Sequence, residues 1–152
     1  MHRNRQYRRR VAVPAVQKNH QRGTAAERGY GSRWRTYSSR FLQENPFCIV
    51  CGAESKLTDH IIPVTQDDSD FAGADDELFF EPWNHQPLCC LHHRSKTDGH
   101  DKRLAGLRES LLRGLESIED ESDRRNELIR RAMIWPKWYD LETGEMVALR
   151  LG

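Results

Sequence analysis

Cys48-x-x-Cys51 and Cys89-x-x-His92 place four metal-ligating side chains in two pairs along the chain. Two intervening residues let both members of a pair converge on one ion, and four such N/S donors make the tetrahedral set of structural zinc. Asp59, His60, Asn84 and His93 lie between and beside these pairs. A hard carboxylate oxygen from Asp59 and an imidazole nitrogen from His93 suit Mg²⁺, Mn²⁺, Ni²⁺ or Zn²⁺, and so few protein ligands leave room for phosphate and water. Phosphodiester hydrolysis needs an activated water, charge neutralisation at phosphorus and a stabilised leaving oxygen; a divalent ion can supply the last two. His60 follows Asp59 directly, so on a strand it points to the opposite face and can stand off the ion as general base. A base exposed in this way needs orienting, which the amide of Asn84 can do by hydrogen bonding the backbone or the ring. One ambiguity is local. Cys90-x-x-His93 has the same spacing as Cys89-x-x-His92, and choosing it would remove His93 from the catalytic set.

The elements that must position these residues follow from hydrophobic period and from breakers. A helix is expected from Ser32, with Trp34, Tyr37, Phe41 and Leu42 on one face, stopped by Asn45-Pro46. Gly52 suits the turn of the first cysteine knuckle. Lys56 to Val64 reads as a short strand pair or a strand and loop ended by Pro63. Residues 65–77 read as an acidic surface loop without the spaced ligands of a calcium loop. Leu78 to Trp83 is apolar enough to cover the core, and residues 95–99 close a short helix. Leu104, Leu107, Leu111, Leu112 and Leu115 form a stripe along a helix over 101–115, a pattern that ordinarily means core packing. A second helix is expected over 123–134, ended by Pro136, and a hairpin around Thr143-Gly144 within 138–149.

Hydrophobic residues make up 37% of the 152 and charged residues 31%, so the core must be small and a bound metal can supply what burial does not. The formal net charge of +1 hides an asymmetry: residues 1–40 carry 11 Lys/Arg against a single acid. A basic arm is an electrostatic footprint for nucleic acid, because each neutralised phosphate releases counterions; the plainer reading is a solvated tail. The basic N-terminus lacks the apolar run of a secretory signal, and no stretch reaches the ~18 apolar residues of a membrane span. A cytoplasmic location is therefore expected (the host cytoplasm for a phage-encoded chain), where thiols stay reduced and paired cysteines favour metal.

Four stretches together resemble the HNH endonucleases, specifically their phage-type, zinc-stabilised branch. They are Arg28-Gly29-Tyr30-Gly31-Ser32-Arg33-Trp34, Pro46-Phe47-Cys48-Ile49-Val50-Cys51-Gly52, Thr58-Asp59-His60-Ile61-Ile62-Pro63-Val64 and the run from Asn84-His85-Gln86-Pro87-Leu88-Cys89 to Thr97. The resemblance implies a small ββα-metal core; with the Cys₃His set and the helices read above, the expected fold is α+β, that core stapled by zinc, with flanking helices and a helical C-terminal extension. It implies that His60 is the general base, that Asn84 positions it, and that Asp59 and His93 hold a catalytic ion. The family usually has Cys-x-x-Cys-His where this chain has Cys89-x-x-His92-His93. This register assigns Cys48, Cys51, Cys89 and His92 to zinc and leaves His93 catalytic. Arg33, Arg35, Arg94 and Lys96 are the candidate contacts to DNA phosphates. Residues 65–81 form an acidic insertion between His60 and Asn84. The expected organisation is a basic, disordered arm over 1–23, a nuclease domain over 24–100 and a helical extension over 101–152 that offers a dimer or partner surface; monomer and dimer both stay open. Phage members often lie near terminase genes and assist DNA packaging, which makes the phage terminase large subunit a candidate partner alongside DNA.

Two other classes compete. A non-catalytic zinc module that binds nucleic acid or protein needs the zinc ligands but not His60. A zinc nucleobase deaminase wants His-x-Glu and Pro-Cys-x-x-Cys; here Ile62 stands where the Glu belongs, and Leu88 separates Pro87 from Cys89.

Overall fold

The computed structural model describes residues 24–64 and 76–148. The basic arm over 1–23, most of the acidic loop (65–75) and the end of the expected hairpin (149–152) lie outside the described residues. Helix α1 spans Ser32–Glu44 and buries Trp34 and Phe41, with Tyr37 half-buried between them. Its last turn is capped by Asn45, whose backbone N–H and side-chain Nδ2 both donate to Phe41 O at 2.9 Å. Pro46 lacks a donor to continue the ladder.

Strands β1 (Leu57–His60) and β2 (His85–Leu88) pair antiparallel, with Asp59 opposite Gln86 and His60 opposite His85. Helix α2 (Cys90–Gly99) follows β2 after Cys89 alone and packs on both strands. The two-residue period of a strand divides its side chains between faces. Thr58 and His60 turn toward α1, where Ser38 Oγ bonds Thr58 Oγ1 at 2.8 Å and Trp34 stacks on His60. Asp59 turns toward α2, meeting His93 and Lys96. Because a helix covers each face, all four residues of β2 are buried, polar ones included.

The expected helix over 101–115 is two helices, α3 (Asp101–Gly106) and α4 (Arg108–Arg113), broken at Leu107. Gly106 is a poor helix former, and Leu107 leaves the helical path with its side chain 40% exposed while Leu104, Leu111 and Leu115 are buried. The bend accompanies a bidentate ion pair, Arg108 to Asp76, with both N–O distances 2.6 Å. Helix α5 is Glu121–Ala132, two residues earlier than expected, because Asp120 Oδ1 accepts from Ser122 N and Asp123 N at 2.9 Å each. Acids in its first turn and Arg130 and Arg131 in its last complement the helix dipole. Strands β3 (Lys137–Tyr139) and β4 (Met146–Ala148) form the expected hairpin. Its turn is shaped by Asp140, which accepts from Glu142 N and Thr143 N, and by Gly144 at φ +69°.

One hydrophobic cluster joins Trp34, Ile49, Ile61, Phe79 and Leu88 to Leu104, Leu128, Ile129, Trp135 and Trp138. Residues 101–148 thus share the core of the preceding segment instead of standing off as an appendage. The leucine stripe serves mainly that core. The fold is a small mixture of helices and short strands, as an α+β reading requires. No helix among the described residues is long and apolar enough to cross a membrane.

Candidate metal centre and catalytic cluster

The first knuckle is a tight turn: Gly52 N donates to Cys48 O at 2.9 Å, and Gly52 sits at φ +72°, a conformation that only glycine adopts without strain. The second knuckle begins at Cys89, which caps the N-terminus of α2 and places His92 in its first turn. The ligand atoms of Cys48, Cys51, Cys89 and His92 all lie within 4.8 Å of one another, a set that could hold a metal ion. His92 Nδ1 is 3.2 Å from Cys89 Sγ and 3.6 Å from Cys48 Sγ, and Cys51 Sγ is 3.9 Å from Cys89 Sγ. Tetrahedral zinc, with bonds of about 2.3 Å to sulfur and about 2.0 Å to nitrogen, spaces its ligands by roughly 3.5–3.8 Å. Donor chemistry and spacing are both consistent with structural zinc.

The doubled residues resolve by helical geometry. Successive residues on a helix point about 100° apart, so His92 and His93 face different sides. His92 turns to the cysteines, and His93 turns to β1, where its Nε2 lies 3.7 Å from Asp59 Oδ1. Cys90 is exposed and outside the cluster.

Asp59 is 7% exposed, and its two oxygens have separate environments. Oδ2 accepts from Gln86 Nε2 at 3.0 Å and faces Lys96 Nζ at 3.2 Å. Oδ1 faces His93, which remains partly open to solvent. An oxygen and a nitrogen 3.7 Å apart can share an ion at bonds of about 2.1 Å with an angle of roughly 120°. Asp59 and His93 could thus offer two donors to a divalent ion, at an angle wider than the roughly 90° of neighbouring octahedral ligands, leaving other positions for water or phosphate.

His60 is 6% exposed, not at the surface as the sequence suggested. Its ring stacks on Trp34 (centroids 4.8 Å, 22°), and its Nε2 is 2.9 Å from Phe79 O. A carbonyl only accepts, so Nε2 carries the proton and Nδ1 holds the lone pair. Burial pushes the His60 pKa below its ordinary value, which favours the neutral ring. Asn84, fully buried, acts on the backbone and not on the ring. Its Oδ1 accepts from Ile62 N at 2.8 Å, and its Nδ2 donates to Ile62 O at 3.1 Å and to Leu78 O at 3.4 Å. Asn84 thus ties the turn after His60 to the segment that carries Phe79.

Lys96 corrects an expectation. It is not placed to contact phosphate: it is 0% exposed and forms ion pairs with Asp59 and Asp101. Position i+3 from His93 puts it on the same face of α2. Arg33, Arg35 and Arg94 are exposed, as phosphate contacts must be. The Arg33 guanidinium lies over the Phe80 ring at 4.1 Å, and Arg94 Nε is 3.5 Å from Asp98.

Four contributors escaped sequence reasoning. His85, opposite His60, also reaches Phe79 O (3.0 Å) and meets Tyr37 Oη through Nδ1 at 2.5 Å. A carbonyl oxygen has two lone pairs, so both rings can donate to it. Burial drives the His85 pKa down to about 3. Gln86 donates to Asp59, Trp135 donates to Gln86, and Asp101 pairs with Lys96, the other partner of Asp59. Gln86 alone had a readable signal: it stands one strand period before the apolar Leu88 and so on the same face.

Comparison with protein-family models, with curated proteins and with solved structures returns no match in any of the three. The reading of function therefore rests on the residues themselves.

Proposed function

We propose that this chain is a metal-dependent endonuclease that hydrolyses DNA phosphodiester bonds in the manner of the HNH family it resembles. The observation that carries the reading is the Asp59–His93 pair, 3.7 Å apart, beside a zinc-type frame and next in sequence to a base candidate, His60. Asp59 Oδ1 and His93 Nε2 would hold the divalent ion, which when bound would neutralise the scissile phosphate and stabilise the departing 3′ oxygen. The chain's own part is proton transfer and positioning. Phe79 O fixes the Nε2–H tautomer of His60, so Nδ1 takes the proton from the attacking water. Asn84 holds the turn after His60, and Lys96 with Gln86 holds Asp59. Arg33, Arg35 and Arg94, together with the basic residues of 1–40, would bind the phosphate backbone without sequence choice. A phage terminase large subunit is the proposed protein partner, on the family resemblance alone.

A second reading, a non-catalytic zinc module that binds nucleic acid or protein, is favoured by the burial of His60 against Trp34. A plasmid assay with Mg²⁺, Mn²⁺, Ni²⁺ and Zn²⁺ separates the two. Nicking or linearisation that His60→Ala abolishes and that EDTA stops supports the nuclease. DNA retention without cleavage under every metal supports the module, and undiminished cleavage by His60→Ala sinks the mechanism.

A further inference from the structure

Asp59 turns Oδ1 toward His93, and a carboxylate held in that orientation is preorganised as a ligand. Two donors on Oδ2 hold it there: Gln86 Nε2 at 3.0 Å and Lys96 Nζ at 3.2 Å. Gln86 is itself ambiguous, since a carboxamide can present either its NH₂ or its oxygen to Asp59. The residue that decides is Trp135, on the segment between α5 and β3. Its Nε1–H lies 3.1 Å from Gln86 Oε1. An indole N–H is donor only, so it holds the amide oxygen and turns the NH₂ group toward the carboxylate. The flipped amide would set two acceptors together at Asp59 and two donors together at Trp135. Trp135 is 5% exposed and Gln86 0%, so water cannot easily substitute for either partner. The same indole stands edge-on to the His92 ring, with centroids 5.6 Å apart at 88°. It therefore touches a ligand of the zinc-type cluster while orienting the holder of Asp59.

We propose that Trp135 is a positioning residue for the catalytic ion: acting through Gln86, it fixes the Asp59 carboxylate, so that the C-terminal segment completes the metal site. This inference rests on the reading of Asp59 and His93 as ligands. Removal of an outer partner of a metal ligand lowers metal affinity by about 10–100-fold.

The test uses the full, zinc-loaded chain with Mn²⁺ as the probe. Affinity is read by calorimetry, and zinc content and circular dichroism serve as fold controls. Trp135→Phe keeps an aromatic ring against His92 and loses the donor; it should weaken Mn²⁺ binding about tenfold with zinc content unchanged. Gln86→Leu should weaken it at least as much, and the double variant no more than Gln86→Leu alone, because one acts through the other. Unchanged Mn²⁺ affinity in Trp135→Phe, or losses that add in the double variant, would overturn the inference. Asp59→Ala and His93→Ala separate the two levels. If both abolish Mn²⁺ binding while Trp135→Phe has no effect, only the positioning role fails; if both bind Mn²⁺ as wild type does, the ligand reading fails and takes the inference with it.

Discussion

Replacing Lys96 by methionine keeps most of the length and volume of the side chain and removes its ammonium. The wild-type group is 0% exposed and lies between Asp59, itself 7% exposed, and Asp101. Without it, two carboxylates share a site with no resident counter-charge. Breaking a buried ion pair by removing one partner costs about 3–5 kcal/mol. The Asp101 side chain is 28% exposed, so solvent screens part of its charge and the lower end, about 3 kcal/mol, is expected. Burial already pushes the Asp101 pKa upward, consistent with a carboxyl that relies on its lysine. The assay is urea unfolding of zinc-loaded protein near pH 7 without other divalent ions. Lys96→Met should show that loss, and Lys96→Met/Asp101→Asn should recover about 1 kcal/mol or more, because one uncompensated charge has gone. Adding Mn²⁺ should stabilise Lys96→Met through the Asp59–His93 pair. A loss of less than about 0.5 kcal/mol, the range of ordinary surface substitutions, would refute the reasoning.

Three further outcomes are expected. Cys89→Ser should lose bound zinc and most of the cooperative fold, whereas Cys90→Ser should keep one zinc per chain by elemental analysis; the reverse pattern would mean that the other cysteine–histidine register holds the metal. Asn84→Ala should destabilise the protein by about 2 kcal/mol by leaving the buried Ile62 backbone groups unpaired, and a denaturation midpoint like wild type would count against its clamp role. The third concerns pH. His85 has its folded pKa depressed to about 3, so the folded state disfavours the proton that the unfolded chain accepts near pH 6.5. Its contribution is complete above about pH 6.5 and is lost as pH falls from there toward about 3, a loss on the order of several kcal/mol. Wild type should therefore lose more unfolding free energy than His85→Asn between pH 7 and pH 4, and parallel curves would reject the assignment.

Much of the site was legible because ligand chemistry depends on residue type and short-range spacing. The x-x interval brings Cys48 and Cys51 together within one turn, and Cys89 and His92 within a helix start, whatever surrounds them. Helix α1 and the final hairpin were readable for similar reasons: an apolar face ended by Asn45-Pro46 in the first, and a turn around Gly144 in the second. The start of α5 was misplaced because its cap, Asp120, lies before the apolar period begins. The break at Leu107 was not visible because a leucine stripe reads the same in one helix or two.

The environment of each catalytic candidate belonged to tertiary structure. A lysine three residues from His93 looks like a surface cation in sequence. It becomes an internal counter-ion because α2 lies on the face of β1 that carries Asp59 and brings Asp101 beside it. A histidine on a short strand looks exposed, yet His60 is buried because α1 covers the other face and Phe79, from beyond the acidic loop, supplies the carbonyl that orients it. Trp135 is 49 residues from Gln86, a separation over which no local rule operates. The sequence by itself determined which atoms can bind metal, because that is a property of side chains and of their nearest neighbours. Only the tertiary structure decided which of those atoms share a site, which are buried, and what holds them, because these depend on contacts between segments far apart in the chain.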